Sequence, residues 1–199
     1  MLYIHSEQKL LPLLADNKKI GLFASGGFDS TLLLFVCLTI YQQHRLPLNL
    51  RIFTVPRHDD SIAHASRIVN FFNEQFNTSL EISTVGNPNL SHEQQVLSGV
   101  MQARDLCDHL LIGDTSNPTH LPNGPARVRS MSPRFVQPFF DWTKKQTVQL
   151  AHELGQLEKI AELTHTCTES SSIRCGQCWQ CLERAWGFSQ NNLADNGTM

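Results

Sequence analysis

Between residues 20 and 155, short continuous apolar runs alternate with longer stretches of helical spacing. The runs are IGLFAS at 20–25, LRIFTV at 50–55, LEISTV at 80–85 and HLLIG at 109–113, with PRFVQPF at 133–139 as a candidate fifth. They lack the polar alternation of a half-exposed strand, as strands buried on both faces of a parallel sheet do. The stretches 28–43, 60–76, 92–108 and 143–155 read as helices; in the second, Ile62, Ala65, Ile68, Val69 and Phe72 recur on one face. Gly155 suits a helix C-cap. HSEQKLLPLLAD, near the start, is a candidate entry helix against which its proline counts. Strands alternating with helices specify an α/β fold: an open parallel sheet with helices on both faces. Such sheets take ligands beyond the carboxyl ends of their strands, at the switch point. That rule gathers residues 25–30, 55–60 and 113–117 at one edge. The Pro-rich stretch 114–133 reads as a loop, and its length marks it as functional or mobile.

The corner after the first strand carries the most specific signal, SGGFDS at 25–30. Adjacent glycines allow a sharp turn and bring backbone N–H groups close to an oxygen-rich anion. The helix that follows points its positive end at the same place. Ser25 and Ser30 add hydroxyls, so the corner is built for phosphate. It is neither the triphosphate loop, which needs a following Gly-Lys-Ser/Thr, nor the dinucleotide fingerprint. Asp29 stands beside the expected phosphate, which makes sense if Mg²⁺ bridges the two. A ligand-free tight turn is the alternative for Gly-Gly alone; the full pattern between strand and helix favours a site.

Four of the six cysteines crowd into CTESSSIRCGQCWQC: Cys167, Cys175, Cys178 and Cys181. Four thiolates at this spacing can close a tetrahedral site, with Gly176 turning the chain between the second and third. Zinc (Zn²⁺) is the expected metal; an iron–sulfur cluster is the rival, since Cys-x-x-Cys-x-x-Cys also occurs in ferredoxin-like runs. A closed four-thiolate site would tie down the C-terminal segment rather than activate water. Cys37 and Cys107 lie in apolar helical patterns and read as core residues.

The 199 residues suit one domain with a small appendage, divided here as 1–160 and 161–199. A net charge of −2 gives nucleic-acid binding no global support, though a local patch would suffice. The N-terminal stretch does not read as a secretory peptide, and LLLFVCLTI is too short to span a bilayer. A cytoplasmic protein with no membrane contact is expected.

At SGGFDS the chain resembles the ATP pyrophosphatase (PP-loop) superfamily, whose members cleave ATP between the α- and β-phosphates. CGQCWQCLERAWGF resembles the C-terminal zinc motif of one branch, the 7-cyano-7-deazaguanine synthases of queuosine-precursor synthesis. QPFFDWTKKQTVQLAHELG, RHDDSIAHASRIV and LLIGDTSN resemble further segments of that branch and put Lys144, Arg57, His58 and Gly113 at matching positions. The resemblance implies an adenine nucleotide alpha hydrolase-like fold. It implies ATP held by Ser25, Gly26, Gly27, Asp29, Ser30, Thr31 and Gly113, with Asp29 and Lys144 catalytic and Mg²⁺ at the phosphates. The implied reaction adenylates a carboxylate, lets ammonia displace AMP to give an amide, and repeats adenylation to reach a nitrile.

The sequence departs from the branch where TVP precedes Arg57, where Ser61 follows His58, and across GNPNLSHEQQ. A related carboxylate, on a small molecule, a protein or a modified base, therefore stays open beside 7-carboxy-7-deazaguanine. So do a tRNA-thiolating enzyme, a nucleotide-binding partner subunit without turnover, and a homodimer. Arg127, Arg129 and Arg134 read equally as phosphate clamps or as a solvated basic loop. His120 and His165 read as surface residues. Trp142, Trp179 and Trp186 are expected to pack the cysteine segment onto the main domain.

Overall fold

A computed structural model describes residues 2–119, 121 and 124–197. The chain opens with α1 (Leu2–Leu14), then alternates β1 (Ile20–Phe23), α2 (Phe28–Gln43), β2 (Leu50–Thr54), α3 (Ser61–Phe76), β3 (Ile82–Thr84), α4 (His92–Asp105) and β4 (His109–Ile112). The long loop leads to β5 (Phe135–Val136), followed by α5 (Lys144–Glu153), α6 (Leu157–Leu163) and α7 (Trp179–Ser189). The five strands form one sheet in the order β3-β2-β1-β4-β5. Every pairing is parallel, with Ile20 level with Leu50 on one side and His109 on the other. The expected α/β architecture, an open parallel sheet, is thus present.

The two faces are covered unequally. On one, a large core joins Leu10 and Leu14 of α1, most of α2, the inner side of α3, and residues of α5 and α6. Phe188 of α7 belongs to the same core. On the other, α4 alone packs a small cluster of Phe23, Phe53, Val55, Val85, Ala103, Cys107 and Leu110. Gly21 makes that approach possible: a Cβ there would lie 2.8 Å from the Cys107 sulfur and 2.8 Å from the Phe53 ring. The apolar stretch LLLFVCLTI has no polar side, and α2 is accordingly buried nearly throughout.

Two expectations change. The entry helix begins at Leu2 and runs through Pro12; the buried Leu10 and Leu14 hold its last turn onto the core despite the lost backbone bond. Trp142 does not serve the cysteine segment. It stacks on Phe139 at 5.2 Å and His5 at 5.7 Å, and so ties α1 to the approach to α5. The aromatic contact that fixes α7 is instead Phe188 against Phe28, edge-on at 5.8 Å. Gly124 lies against Trp179, where a Cβ would come within 2.5 Å of the indole. No helix among the described residues is long and apolar enough to cross a membrane.

Candidate active site

The chain turns back across the sheet between β1 and β4, which are neighbours. Beyond their carboxyl ends lies the glycine corner. Gly26 takes φ +80°, a conformation open to glycine, and a Cβ there would meet the His64 Cβ at 2.7 Å. Gly27 is the N-cap of α2 in extended conformation, and no side chain caps the helix. The first N–H groups of α2 lack intrahelical partners by geometry, so the helix offers them to an anion. A Cβ on Gly27 would meet only the Ser25 hydroxyl, at 3.3 Å; the corner is otherwise open there. This is a cradle that fits a phosphate.

The hydroxyls shape the cradle. Those of Ser25 and Ser30 lie 3.1 Å apart, and Ser30 donates to the Gly27 carbonyl at 3.2 Å. Thr31 is buried and donates to the same carbonyl at 2.8 Å, so it braces the loop from within the helix. Gly113 also acts through packing. A Cβ there would lie 2.8 Å from the Ser30 nitrogen and 3.0 Å from the Asp29 carbonyl, so only a glycine lets the end of β4 close on the first turn of α2.

Asp29 leaves that turn toward α5. Its carboxylate is ion-paired with Lys144 and accepts a hydrogen bond from the Thr147 hydroxyl at 2.9 Å. Lys144 is the first residue of α5, where Gln146 reaches back to accept from the Thr143 N–H at 2.9 Å. The lysine is 1% exposed. Its stem is covered by Gly187 of α7, where a Cβ would come within 2.3 Å of the Lys144 Cγ.

Two residues that the sequence reading did not select complete this group. Glu183, on α7, is 2% exposed and lies 3.8 Å from the Lys144 amine and 3.9 Å from the Arg127 guanidinium. Its burial pushes its pKa up, and the lysine pulls against that shift. Its Oε1 and the buried Oγ1 of Thr115 make no well-formed hydrogen bond among the described residues, though the Thr115 hydroxyl is near enough to the carboxylate to favour its charged form. Arg184, also on α7, is fully buried. It donates to the carbonyls of Ala161 and Thr164, to the hydroxyls of Thr164 and Thr166, and to both oxygens of Asp195, all within 2.8–3.2 Å. It is the internal knot of the C-terminal segment.

The three loop arginines separate. Arg127 joins the site, 3.6 Å from Asp114 as well as near Glu183. Arg129 pairs with Asp141 at the surface, and Arg134 donates to the carbonyls of Arg104 and Cys107 at 2.6 and 2.8 Å. Arg57 pairs with Asp59, and His58 lies 2.6 Å from the Thr168 carbonyl. His165, expected at the surface, is 5% exposed. Its ring stacks on His64 at 4.5 Å, and its backbone N–H donates to the Gly26 carbonyl at 3.1 Å. Packing of the cysteine segment behind the glycine corner buries it, a contact no local pattern announces. His120 lies outside the described residues.

The four cysteine sulfurs lie within 4.8 Å of one another. Four thiolates around one zinc at about 2.3 Å would stand about 3.8 Å apart, so the spacing suits a single ion. Gly176 takes φ +71° between the second and third ligands. The N–H groups of Cys178 and Gln177 donate to the Cys175 sulfur at 3.2 and 3.5 Å and pull its pKa down to about 7. N–H groups aimed at a sulfur favour its thiolate, the form that binds metal. Cys167 and Cys181 are buried, while Cys175 is exposed beside a cavity of about 770 Å³. That cavity is lined by His58, Pro125, Thr168, Cys178, Trp179 and Gln180, among others.

Fold and glycine corner together define a class, an open parallel α/β protein with an anion-sized cradle at its switch point. Among solved structures, the U34-tRNA thiolase NcsA from Methanococcus maripaludis, which holds a [4Fe-4S] cluster, superposes with TM-score 0.53 at 16% identity. That match covers 94% of this chain and 71% of the thiolase. NMN synthetase from Francisella tularensis gives TM-score 0.50 at 15% identity, over 96% of this chain and 87% of the synthetase. At such identities the likeness is one of fold.

A more particular likeness comes from sequence, over part of the chain. Residues 123–192 match the family model "Queuosine biosynthesis protein QueC". The 7-cyano-7-deazaguanine synthase of Laribacter hongkongensis is 36% identical over 62 residues, 31% of this chain and 27% of that enzyme. The alignment thus spans about a quarter of that relative. Over residues 123–192 the chain is thus QueC-like in sequence. The family match takes in Lys144, the four cysteines and Glu183, and leaves the glycine corner to be supported by fold and geometry.

Proposed function

We propose that this chain is an ATP-dependent, adenylate-forming ligase that activates a carboxylate, 7-carboxy-7-deazaguanine or a close relative, for attack by ammonia. One observation carries the reading: Asp29 and Lys144, far apart in sequence, are paired beside the phosphate cradle. In this reading the backbone of Gly26, Gly27 and the first turn of α2 holds the pyrophosphate end of ATP, shaped by Ser25 and Ser30 and closed by Gly113. Asp29 would hold Mg²⁺, which would neutralise charge on the departing pyrophosphate. Lys144 brings a second cation to the same oxygens. The burial around it strengthens that interaction, because water does not screen it. Cys167, Cys175, Cys178 and Cys181 would hold Zn²⁺ as a structural ion.

The test is pyrophosphate and AMP release from ATP with Mg²⁺, ammonia and a panel of carboxylates that includes 7-carboxy-7-deazaguanine. Release that depends on one carboxylate, together with an amide or nitrile product, supports the reading. Asp29→Ala is expected to lower turnover by about 100-fold or more while the fold persists, since it removes the metal's ligand. Full activity in that variant would refute the assignment.

A second reading, tRNA thiolation, draws on the exposed Cys175 and its adjoining cavity. Iron analysis separates the two: a brown protein with iron and sulfide favours thiolation, a colourless one with a single zinc favours the ligase. A soluble location in the cytoplasm agrees with either reading.

A further inference from the structure

We propose that Glu183 is a positioning residue, the second anchor of Lys144, which holds the lysine when Asp29 turns to Mg²⁺. The inference rests on the reading of residues 25–31 as an ATP loop. It begins from a conflict of duties. Asp29 is the acid beside the phosphate cradle, yet its carboxylate is bound to Lys144. A magnesium nucleotide that enters must compete with the lysine for that carboxylate. Lys144 is 1% exposed, so it has no water to retreat to. A buried cation stripped of its partner is strongly destabilising, and the conflict needs another acid.

Glu183 has the features of that acid. It is 2% exposed, and its Oε2 faces the amine at 3.8 Å, too far for a hydrogen bond. Among the described residues its Oε1 makes no well-formed hydrogen bond, and the Thr115 hydroxyl is only a loose neighbour of the carboxylate. As a finished structural ion pair this arrangement would be poor, because it leaves a buried carboxylate oxygen without a well-formed bond. As a receiving site it is well placed. The stem of Lys144 is pinned by Gly187 on the same helix as Glu183, so the amine need only shift locally. An ammonium has three N–H donors, so it can give one to Glu183 and turn the others to phosphate. The charges agree. Asp29, Asp114 and Glu183 stand against Lys144 and Arg127 in one linked group, so an added cation at Asp29 finds a negative excess. Because α7 begins at the last cysteines, the cysteine segment thereby delivers a side chain to the nucleotide site.

The experiment is calorimetric titration of the metal-loaded full chain with α,β-methylene-ATP, with and without Mg²⁺. Glu183→Gln keeps the shape and removes the charge. It is expected to weaken the magnesium-nucleotide complex by about tenfold or more, and the magnesium-free complex by less than about twofold. Equal weakening of both complexes, or of neither, would overturn the proposal. Should the variant not fold, the wild-type complex decides. A crystal structure with Mg²⁺ and the analogue should show the Lys144 amine within hydrogen-bond distance of Glu183 and off Asp29. A lysine still on Asp29 would overturn the proposal. If the wild-type chain binds no nucleotide in either condition, the ATP-loop reading itself falls, and this inference with it.

Discussion

Gly113 shows how much a single residue decides here. It binds nothing through a side chain, yet the end of β4 reaches the first turn of α2 only because it has none. Gly113→Ala should therefore push backbone against backbone, with no flexible side chain to yield. The expected cost is about 1–3 kcal/mol in urea unfolding, the usual penalty for overpacking, together with weaker nucleotide binding. An unchanged midpoint would show that the contact relaxes freely. The glycine corner was legible in the sequence because its signal is local: strand, Gly-Gly, acid and helix lie within a dozen positions. Glu183 and Arg184 were not. In CLERAWGF they look like ordinary charges on a short helix. What turns them inward is the close crossing of α7 over α5 at Gly187, a contact between distant segments.

Among the elements, all five strands and the first five helices were anticipated, whereas α6 and α7 were not read as helices from the sequence. α2 matches the expected 28–43, because a helix apolar on nearly every side and opened by two glycines admits little else. β3 shrinks to three residues and β5 to two, since edge strands lose pairing where they lose a neighbour. α7 is the element most open to test. Its N-cap is Cys178, no side chain caps it, and the residues just before it are largely exposed. Its start is thus expected to depend on the bound metal, while Arg184 and Phe188 secure its far half. Hydrogen exchange before and after chelation should show faster exchange in residues 167–182 and little change in β1, β2 and β4. Unaltered protection at 167–182 would mean that the cysteines do not hold this segment through a metal.

For the molecule as a whole, the relevant fact is that one core runs from α1 through α2 to α6 and Phe188. Both parts of the division drawn from sequence, 1–160 and 161–199, contribute side chains to it. The metal-loaded protein should therefore unfold in urea in one transition, with tryptophan fluorescence and far-UV circular dichroism changing together. Separate midpoints would show that the C-terminal segment unfolds as its own unit. The same connectedness explains why the parallel sheet was visible in the sequence while the acid cluster at Lys144 was not. The first follows from patterns repeated along the chain, the second from where distant parts meet.

The meeting of Asp29, Lys144 and Glu183 has a consequence for biosynthesis. A ribosome makes the glycine corner before the helix bearing Glu183, so a growing chain cannot bring these three side chains together until that helix has emerged and docked. Competence to take up ATP, on the proposed reading, would then arise only with that helix in place, which keeps chains still lacking it from occupying themselves with nucleotide.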